Sequence, residues 1–266
     1  MRFIRTITGF IREVLLVSAK ADAISSVFRY ATDLLRVKFG KRSSYSDGLR
    51  SIQLSGATVS YRLNRGDMQS IREIWLDEEY RLPDSAAPHR VLIDLGANIG
   101  MTSLWLTRRY GYETVVAVEP SAENAKLVRQ NLANNGINAI VIEAAVGPVD
   151  GTAVFASSEE SNMGRLDENA AGVEVTVKSM ESILRDANIS DIIDLVKLDI
   201  EGGEEKLVES NLEWLSSVRR IVAELHPSIV DTGKVIAEFQ RAGLQYQPGP
   251  GRGGTDSAMD MFVREA

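Results

Sequence analysis

The 266-residue chain contains no cysteine, which excludes a disulfide framework, a thiolate nucleophile and a cysteine-bound zinc or iron–sulfur centre. Histidine occurs only at His89 and His226, which argues against a metal centre built from several histidines. No apolar run approaches the roughly 20 residues that a membrane-crossing helix needs. Proline and aromatic residues are also few, and 25% of the residues are charged, as in ordinary globular domains.

Positive charge is scarce overall, because the net charge is −7 and the sequence pI is about 5.1. A nucleic-acid binder needs an excess of lysine and arginine, so we expect no nucleic-acid partner. The first 50 residues differ from the rest, since they carry ten basic against four acidic side chains. A polar run at residues 41–48 marks their boundary with the body of the chain.

Apolar residues recur at three- and four-residue steps from Phe3 to Leu15 and again from Val27 to Leu35, which predicts two amphipathic helices. We therefore expect residues 1–50 to form a helical extension that serves as a lid or in dimerisation. A basic helix lying on a membrane surface is the alternative. Arg12 and Glu13 interrupt the apolar stretch that a secretory signal would need, so we expect a cytoplasmic protein.

Residues 51–266 alternate between short apolar runs and helical patterns. Strands are predicted at residues 90–95, 114–119, 139–144, 193–200 and 220–224, and helices at 68–80, 101–110, 121–134, 204–215 and 230–242. Parallel strands need helical crossovers, so this order predicts a doubly wound α/β fold with a mostly parallel sheet.

Shorter strands are predicted outside that alternation. A hairpin is expected over residues 52–63, and closing strands at 244–246 and 259–264. The runs at 152–156 and 173–178 either extend the sheet edge or form a flap.

The segment Asp94–Gly100, with the sequence DLGANIG, lies where the first strand of the predicted α/β unit passes into its first helix. Gly96 permits a tight turn and Gly100 permits close packing, so backbone amides at the helix start can face an anionic group. Asn98 stands where a dinucleotide-binding pattern has another glycine, which disfavours a nicotinamide dehydrogenase. An acid at Asp94 suits a ligand with an ammonium group beside its carboxylate, such as the methionine end of S-adenosylmethionine.

Glu119 ends the second strand, 23 residues after Gly96, where a carboxylate can accept hydrogen bonds from both ribose hydroxyls. Pro120 stops this strand, and Ser121 is a suitable N-cap for the next helix. Each signal alone also fits a plain strand-to-helix turn or a surface acid. Together they favour a ligand that contains a nucleoside.

Further charged residues follow the fourth and fifth strands. Asp199 and Glu201 point the same way if the strand continues through them, and their repulsion can raise one pKa and prepare a base, or attract a cation. Glu224 and His226 share a face at the same sheet edge, which makes His226 a candidate general base. The simpler interpretations are an acidic helix start at Glu201 and a structural histidine.

Together these motifs resemble the FkbM family of S-adenosylmethionine-dependent methyltransferases, over residues 52–265. The resemblance is carried by residues 91–100, Glu119-Pro120, Asn131 with Asn135-Gly136, residues 196–204 and residues 224–227, with 73–80 also similar. It implies a class I methyltransferase with a seven-stranded Rossmann-like sheet whose last strand is antiparallel. It also implies methyl transfer, most often to a hydroxyl of a secondary metabolite, sugar or lipid. Residues 1–50 lie outside the resemblance.

Site residues follow from this resemblance as hypotheses. The predicted cofactor contacts are Asp94 at the ammonium, the backbone of Gly96, Ala97, Asn98 and Gly100 at the carboxylate, Glu119 with Pro120 and Ser121 at the ribose, Glu143 and Ala144 at the adenine, and Asp199. The predicted proton-accepting group is His226 with Asp199 and Glu201. The predicted acceptor contacts are Tyr80, Glu224 and His226. No metal is expected, with Mg²⁺ at Asp199, Glu201 and Glu224 as the alternative.

The sequence leaves the methyl acceptor open. We expect O-methylation of a secondary metabolite or sugar, with N-methylation of an amine or heterocycle as the alternative, and a non-catalytic nucleoside-binding module as a third interpretation. The acceptor pocket is expected to involve the N-terminal helices, the region near Tyr80, and residues 157–169 and 249–254. A homodimer formed through the N-terminal helices is also expected.

Overall fold

The computed structural model describes residues 2–40, 48–83, 89–156, 165–166, 172–249 and 258–265. The described helices are α1 (Arg2–Lys20), α2 (Ile24–Phe39), α3 (Arg65–Ile71), α4 (Met101–Tyr110), α5 (Ala122–Ala133), α6 (Met180–Asp186), α7 (Glu204–Val208) and α8 (Thr232–Arg241). A π-helical turn (Arg72–Leu76) directly follows α3, and a 3₁₀ turn (Glu213–Ser217) follows α7. None of the described helices is long and apolar enough to cross a membrane.

Strands alternate with these helices through the second half of the chain. They are β1 (Arg50–Leu54), β2 (Ala57–Tyr61), β3 (Val91–Leu95), β4 (Thr114–Val118), β5 (Ala139–Ile142), β6 (Ala145–Val146), β7 (Gly151–Ala156), β8 (Arg165–Leu166), β9 (Val173–Lys178), β10 (Leu195–Leu198), β11 (Arg220–Leu225), β12 (Leu244–Gln247) and β13 (Ala258–Arg264).

The main sheet has seven strands in the order β12-β13-β11-β10-β3-β4-β5. Strands β11, β10, β3, β4 and β5 are parallel, and β13 runs antiparallel to both of its neighbours. From β3 the chain moves outward to β4 and β5 and then returns to form β10 on the other side of β3. The predicted doubly wound, mostly parallel sheet is therefore confirmed, and its switch point lies between β3 and β10.

Each face of the sheet carries its own apolar core, because parallel strands buried on both faces need helices on both. One core contains residues of the five helices α1, α2, α3, α4 and α5 and of the β1–β2 hairpin. These residues pack against strand residues such as Leu92, Val115 and Leu195. The other joins α6, α7, α8 and the 3₁₀ turn to residues such as Ile93, Val116 and Val196. Successive side chains of a strand point to opposite faces, which explains how neighbouring residues enter different cores.

The N-terminal helices belong to the first core. Val17, Tyr30 and Leu34 are buried in it, and the Tyr30 hydroxyl donates a hydrogen bond to Glu13 at 2.8 Å. The predicted boundary run falls mostly at residues 41–47, outside the described part of the chain. The roles of the extension as a lid or in dimerisation stay predictions.

Two asparagines on or next to α5 hold the hairpin in place. The Asn131 side chain accepts from the Ser60 amide at 2.8 Å and donates to the Ile99 carbonyl at 2.8 Å. Asn135 bonds both the amide and the carbonyl of Thr58, each at 2.8 Å. These bonds fix β2 and the turn before α4 against α5.

Several predicted elements have different bounds. The helix expected over 68–80 is α3 followed by the π-helical turn, because the Asn64 side chain caps the Asp67 amide at 2.7 Å and starts the helix early. The helix expected over 204–215 is split, because Asn211 accepts from the Glu213 amide at 3.0 Å and begins a new turn. The runs at 152–156 and 173–178 pair with each other in a separate four-stranded sheet, β6-β9-β7-β8. Helix α6 was not predicted.

Candidate active site

A cavity of about 1270 Å³ opens at the carboxyl ends of β3, β4, β10 and β11. It lies at the switch point of the sheet, where open α/β sheets bind ligands. Most predicted site residues line it, namely Tyr80, Gly96, Ala97, Asn98, Glu119, Pro120, Ala144, Asp199, Glu201, Glu224 and His226. Asp94, Gly100, Ser121 and Glu143 are not among its lining residues. Residues 157–164, 167–171 and 250–257, which cover most of two predicted acceptor segments, lie outside the described chain.

The turn after β3 is fixed by its glycine. Gly96 has φ +78°, and a Cβ there would lie 1.8 Å from the Asp199 carbonyl oxygen, so only glycine fits between β3 and the end of β10. The amides of Gly96 and Ala97 both donate to the Val118 carbonyl, at 3.0 and 2.9 Å. These amides therefore tie the turn to β4, and the predicted role of this backbone as an anion cradle does not fit their geometry.

Helix α4 begins directly after Gly100, and its first residues Met101 and Thr102 line the cavity. First-turn amides of a helix have no partner within the helix, and together with the helix dipole they favour an anionic group. The start of α4 is thus better placed for a carboxylate than the turn itself. Gly100 packs on α5, where a Cβ would meet the Val128 Cα at 3.2 Å.

Glu119 lies just beyond β4 with only 5% of its surface exposed. Its two oxygens accept from the amides of Asn98 and Ser121, at 2.9 and 3.0 Å, and Asn124 lies near at 3.4 Å. Burial raises the pKa of Glu119 to about 7, although the two amide hydrogen bonds oppose that rise. Each carboxylate oxygen has a second lone pair, so the group can still accept from a ligand.

Asp94 is fully buried behind the cavity wall. Its carboxylate accepts from the Ser103 hydroxyl at 2.6 Å and lies 3.3 Å from the Lys197 ammonium. Direct contact with a ligand ammonium, as predicted from the sequence, does not fit this placement. The Asp94 carboxylate therefore finds its partners inside the protein.

His226 stands at the opposite side of the cavity, just after β11. Its Nδ1 lies 3.0 Å from Oε1 of Glu204, which is fully buried. Its Nε2 faces Glu201 at 3.5 Å and Asp199 at 3.9 Å. The predicted grouping of Asp199, Glu201 and His226 is therefore present in the structure; the catalytic role of the group stays a prediction.

Charge sets the protonation of this group. Burial would lower the pKa of His226, but the hydrogen bond to Glu204 and the charges of Glu204, Asp199 and Glu201 outweigh it and raise the pKa to about 9. Burial and the charge of Asp199 also raise the pKa of Glu201. Glu201 adopts a left-handed backbone, φ 52°, which non-glycine residues rarely do and which is typical of functional sites.

One donor atom from each of Asp199, Glu201 and His226 lies within 4.8 Å of the others, a spacing that could accommodate a cation. Glu224 is not part of that grouping, so the alternative Mg²⁺ set predicted from the sequence differs from the observed one. Glu224 still lines the cavity.

The remaining predicted residues have clear positions. The Tyr80 ring is buried, and its hydroxyl donates to Asp199 at 3.5 Å. Ser121 caps α5 as predicted. Glu143 is 45% exposed at its side chain and pairs with Arg129 at 3.5 Å, while its neighbour Ala144 lines the cavity.

Sequence reasoning missed three contributors. Lys197 lines the cavity and is almost completely buried, and a lysine inside an apolar strand was the available signal, since buried lysines are rare. Glu204 fits an acidic helix start in the sequence, but it holds His226 in the structure. The π-helical turn brings Arg72 and Glu73 to the cavity, and no local pattern marks it.

The sheet order with one antiparallel strand near its edge, and a cavity at the switch point, define the class I methyltransferase fold. A solved structure from Streptococcus mutans, described as a SAM-dependent methyltransferase, shares this fold with a TM-score of 0.51 at 11% identity. The match covers 85% of this chain and 57% of that one.

The methyltransferase FkbM domain model matches residues 94–246, so the chain belongs to the FkbM methyltransferase family and is a methyltransferase. The 31-O-demethyl-FK506 methyltransferase FkbM of Streptomyces tacrolimicus is 25% identical over an alignment of 237 residues, and the match covers 75% of this chain and 90% of that protein. Methyltransferase sdnD of Sordaria araneosa is 26% identical over 200 residues, covering 62% and 77% of the two chains. The resemblance noted from the sequence is confirmed.

Proposed function

We propose that this methyltransferase moves the methyl group of S-adenosylmethionine to a hydroxyl oxygen of a small molecule such as a secondary metabolite or sugar. The observation that carries the proposal is a half-buried group of ionisable side chains, His226 with Asp199 and Glu201, which lines the same cavity as Glu119 and the glycine turn. The name of the Streptomyces tacrolimicus relative, a 31-O-demethyl-FK506 methyltransferase, supports oxygen as the acceptor atom.

The size of the cavity supports two ligands. Pockets for one drug-sized ligand are about 300–1,000 Å³, and this cavity has about 1270 Å³. Its two sides also differ in chemistry, since one carries Glu119 and the start of α4, at the end of β4 and after β3, while the other carries Asp199, Glu201, Glu224 and His226. A cofactor on the first side leaves the second side for the acceptor.

The residues on the first side fit S-adenosylmethionine. Glu119 would accept from the ribose hydroxyls, the amides that begin α4 at Met101 and Thr102 would hold the carboxylate, and Ala144 would lie by the adenine. When bound, this cofactor supplies an electrophilic methyl group on a positively charged sulfur. The protein contributes alignment of that methyl group with the acceptor.

The residues on the second side would receive the proton. A hydroxyl loses its proton as its oxygen is methylated, whereas a neutral amine attacks with its own lone pair. A proton acceptor therefore favours O-methylation over N-methylation. In the ligand-free protein, with a pKa of about 9, His226 is protonated at neutral pH. A cationic ligand bound nearby would lower the pKa of His226 and so favour the neutral imidazole, which accepts a proton.

Calorimetric titration tests the cofactor. We expect S-adenosylmethionine to bind with micromolar affinity, and NAD and NADP to show no binding, since the turn lacks the dinucleotide glycines. Absence of S-adenosylmethionine binding would overturn the proposed cofactor site.

An acceptor panel tests the acceptor atom. Small alcohols, sugars, amines and heterocycles are incubated with labelled S-adenosylmethionine, and the site of the new methyl group is located by mass spectrometry and NMR. Methyl transfer to nitrogen alone would contradict the O-methylation proposal and favour the alternative.

The N-terminal helices would form a homodimer. Ile24, Phe28 and Phe39 on α2 are 71%, 67% and 54% exposed, which is unusual for three large apolar side chains on one helix. Replacing Ile24 and Phe28 with serine should convert a dimer into a monomer by light scattering. An unchanged mass would contradict this role of α2. The cytoplasmic location stays a prediction.

A further inference from the structure

Lys197 occupies an exceptional place for a lysine. It lies inside β10 between Val196 and Leu198, paired in register with Asp94 of β3, and only 3% of its side chain is exposed. Burying an ammonium group costs free energy unless the group is paired and hydrogen-bonded. The partners of Lys197 therefore indicate its role.

The contacts of the Lys197 ammonium join the ends of the adjacent strands β3 and β10. Its Nζ donates to the Gly96 carbonyl at 2.5 Å and lies 3.3 Å from Asp94, both belonging to β3 and its turn. The same atom lies 3.4 Å from Oδ2 of Asp199 and 6.0 Å from the centre of the Tyr80 ring. One cation therefore joins the glycine turn to the acidic group that surrounds His226.

The charge of Lys197 acts on that group. Burial alone would lower the pKa of Lys197, but Asp199 and Asp94 raise it, so the side chain stays charged. Asp199 and Glu201, from the turn after β10, and Glu204, from α7, face His226, and the Lys197 ammonium contacts Asp199 at 3.4 Å.

We propose that Lys197 is a positioning residue for methyl transfer: its ammonium locks the Gly96 turn against the end of β10 and neutralises Asp199 beside His226. The inference rests on the proposed function, because it assigns the turn to the cofactor and His226 to the proton. Lys197 itself takes no part in bond making. Lys197 thereby links the position of the Gly96 turn, beside the cofactor, to the charge of the group around His226, which faces the acceptor.

The test uses the two histidines as spectroscopic probes. NMR of ¹³C-histidine-labelled protein, with a chelator present, follows only His89 and His226, and a His89→Gln variant assigns them. In Lys197→Met the loss of a positive charge should raise the His226 pKa by about one unit, because anions nearby then favour the imidazolium more strongly. Lys197→Arg keeps the charge and should restore most of the wild-type value.

Calorimetry with S-adenosylmethionine gives the second readout. Lys197→Met should weaken binding roughly tenfold, since the turn loses its hydrogen bond from a charged donor. Lys178→Met is the matched control, because Lys178 also pairs with an aspartate, Asp186 at 2.6 Å, but does not line the cavity. This control should leave both readouts unchanged.

The outcomes separate this inference from the proposed function. An unchanged His226 pKa, or unchanged affinity, in a folded Lys197→Met variant would overturn the role of Lys197. If Lys197→Met does not fold, Asp94→Asn/Lys197→Met removes both buried charges and carries both the affinity measurement and the His226 titration. If wild-type protein does not bind S-adenosylmethionine, the proposed function fails, and the His226 titration still decides whether Lys197 sets the charge of the group.

Discussion

The two sides of the cavity are built in different ways. On the side where we propose that the cofactor binds, here called the cofactor side, Glu119 accepts amide hydrogen bonds of 2.9 and 3.0 Å, and the Gly96 turn is tied to β4 by two further amides. The other side, here called the acidic side, carries His226, Asp199 and Glu201. The His226 Nε2 lies 3.5 Å from Glu201 and 3.9 Å from Asp199, and Oδ1 of Asp199 is buried without a hydrogen-bond partner. The polar groups of the cofactor side are satisfied by hydrogen bonds within the protein, whereas those of the acidic side are held mainly by contacts between charged groups.

This difference fits a division of labour between binding and proton transfer. Satisfied backbone hydrogen bonds fix a shape before a ligand arrives, which lowers the cost of binding. Carboxylates left close together shift pKa values and keep capacity for a proton, and such shifts cluster at functional sites. Variants that alter one side and leave the other intact test this division of labour.

The largest expected effect concerns stability and pH. The folded-state pKa of His226, about 9, lies above its ordinary value of 6.5, so the fold stabilises the protonated form. The resulting contribution of His226 to the free energy of unfolding is about 3 kcal/mol. It is complete below pH 6.5 and is lost as the pH rises through 9. The difference in unfolding free energy between wild type and His226→Gln should therefore shrink by this amount from pH 6 to pH 10.

His89 provides the matched control for this titration. Burial and the charge of Arg220 lower the pKa of His89. The contribution of His89 to the free energy of unfolding should therefore not be lost as the pH rises from 6 to 10. A pH-independent difference between wild type and His226→Gln would show that the acidic side does not hold an imidazolium.

Turnover should depend on His226 almost as strongly. His226→Asn should lower turnover with a responsive acceptor by roughly 100-fold, because general-base catalysis contributes about that factor. Affinity for S-adenosylmethionine should stay within about twofold of wild type. His89→Asn serves as the control, and equal turnover of His226→Asn and wild type would remove His226 from the reaction.

The cofactor side should respond in the opposite manner. Glu119→Ala should weaken S-adenosylmethionine binding roughly 10- to 100-fold, since hydrogen bonds to a charged group are lost. Glu123→Ala changes an acid whose side chain is 89% exposed on α5, the helix that follows Glu119, and should leave affinity unchanged. If Glu119→Ala binds as tightly as Glu123→Ala, the ribose is held elsewhere.

The smallest expected effect is that of a chelator. We expect turnover to be the same in EDTA and in added Mg²⁺, because the Lys197 ammonium already contacts Asp199. Activity that is lost in EDTA and restored by a divalent ion would show that Asp199, Glu201 and His226 hold a cation.

Much of the fold was predictable because it depends on local periodicity. The helix expected at residues 101–110 has those same bounds, and the strand expected at 114–119 differs by one residue. The glycine turn and Glu119 were predictable for a similar reason, since a strand followed by a helix places its carboxyl end at the ligand edge. The π-helical turn at Arg72–Leu76 was not predictable, because its pattern resembles that of an α-helix.

The sequence by itself determined the α/β alternation, the position of the turn at Gly96 and the identity of the charged residues at the sheet edge, because each depends on neighbours a few positions away. The tertiary structure decided how those charges are used. It buried Asp94 against Lys197, separated from it by about a hundred residues, and turned Glu204 from a helix-start acid into the partner of His226. Strand register and burial set these pairings, and neither is visible in a local pattern.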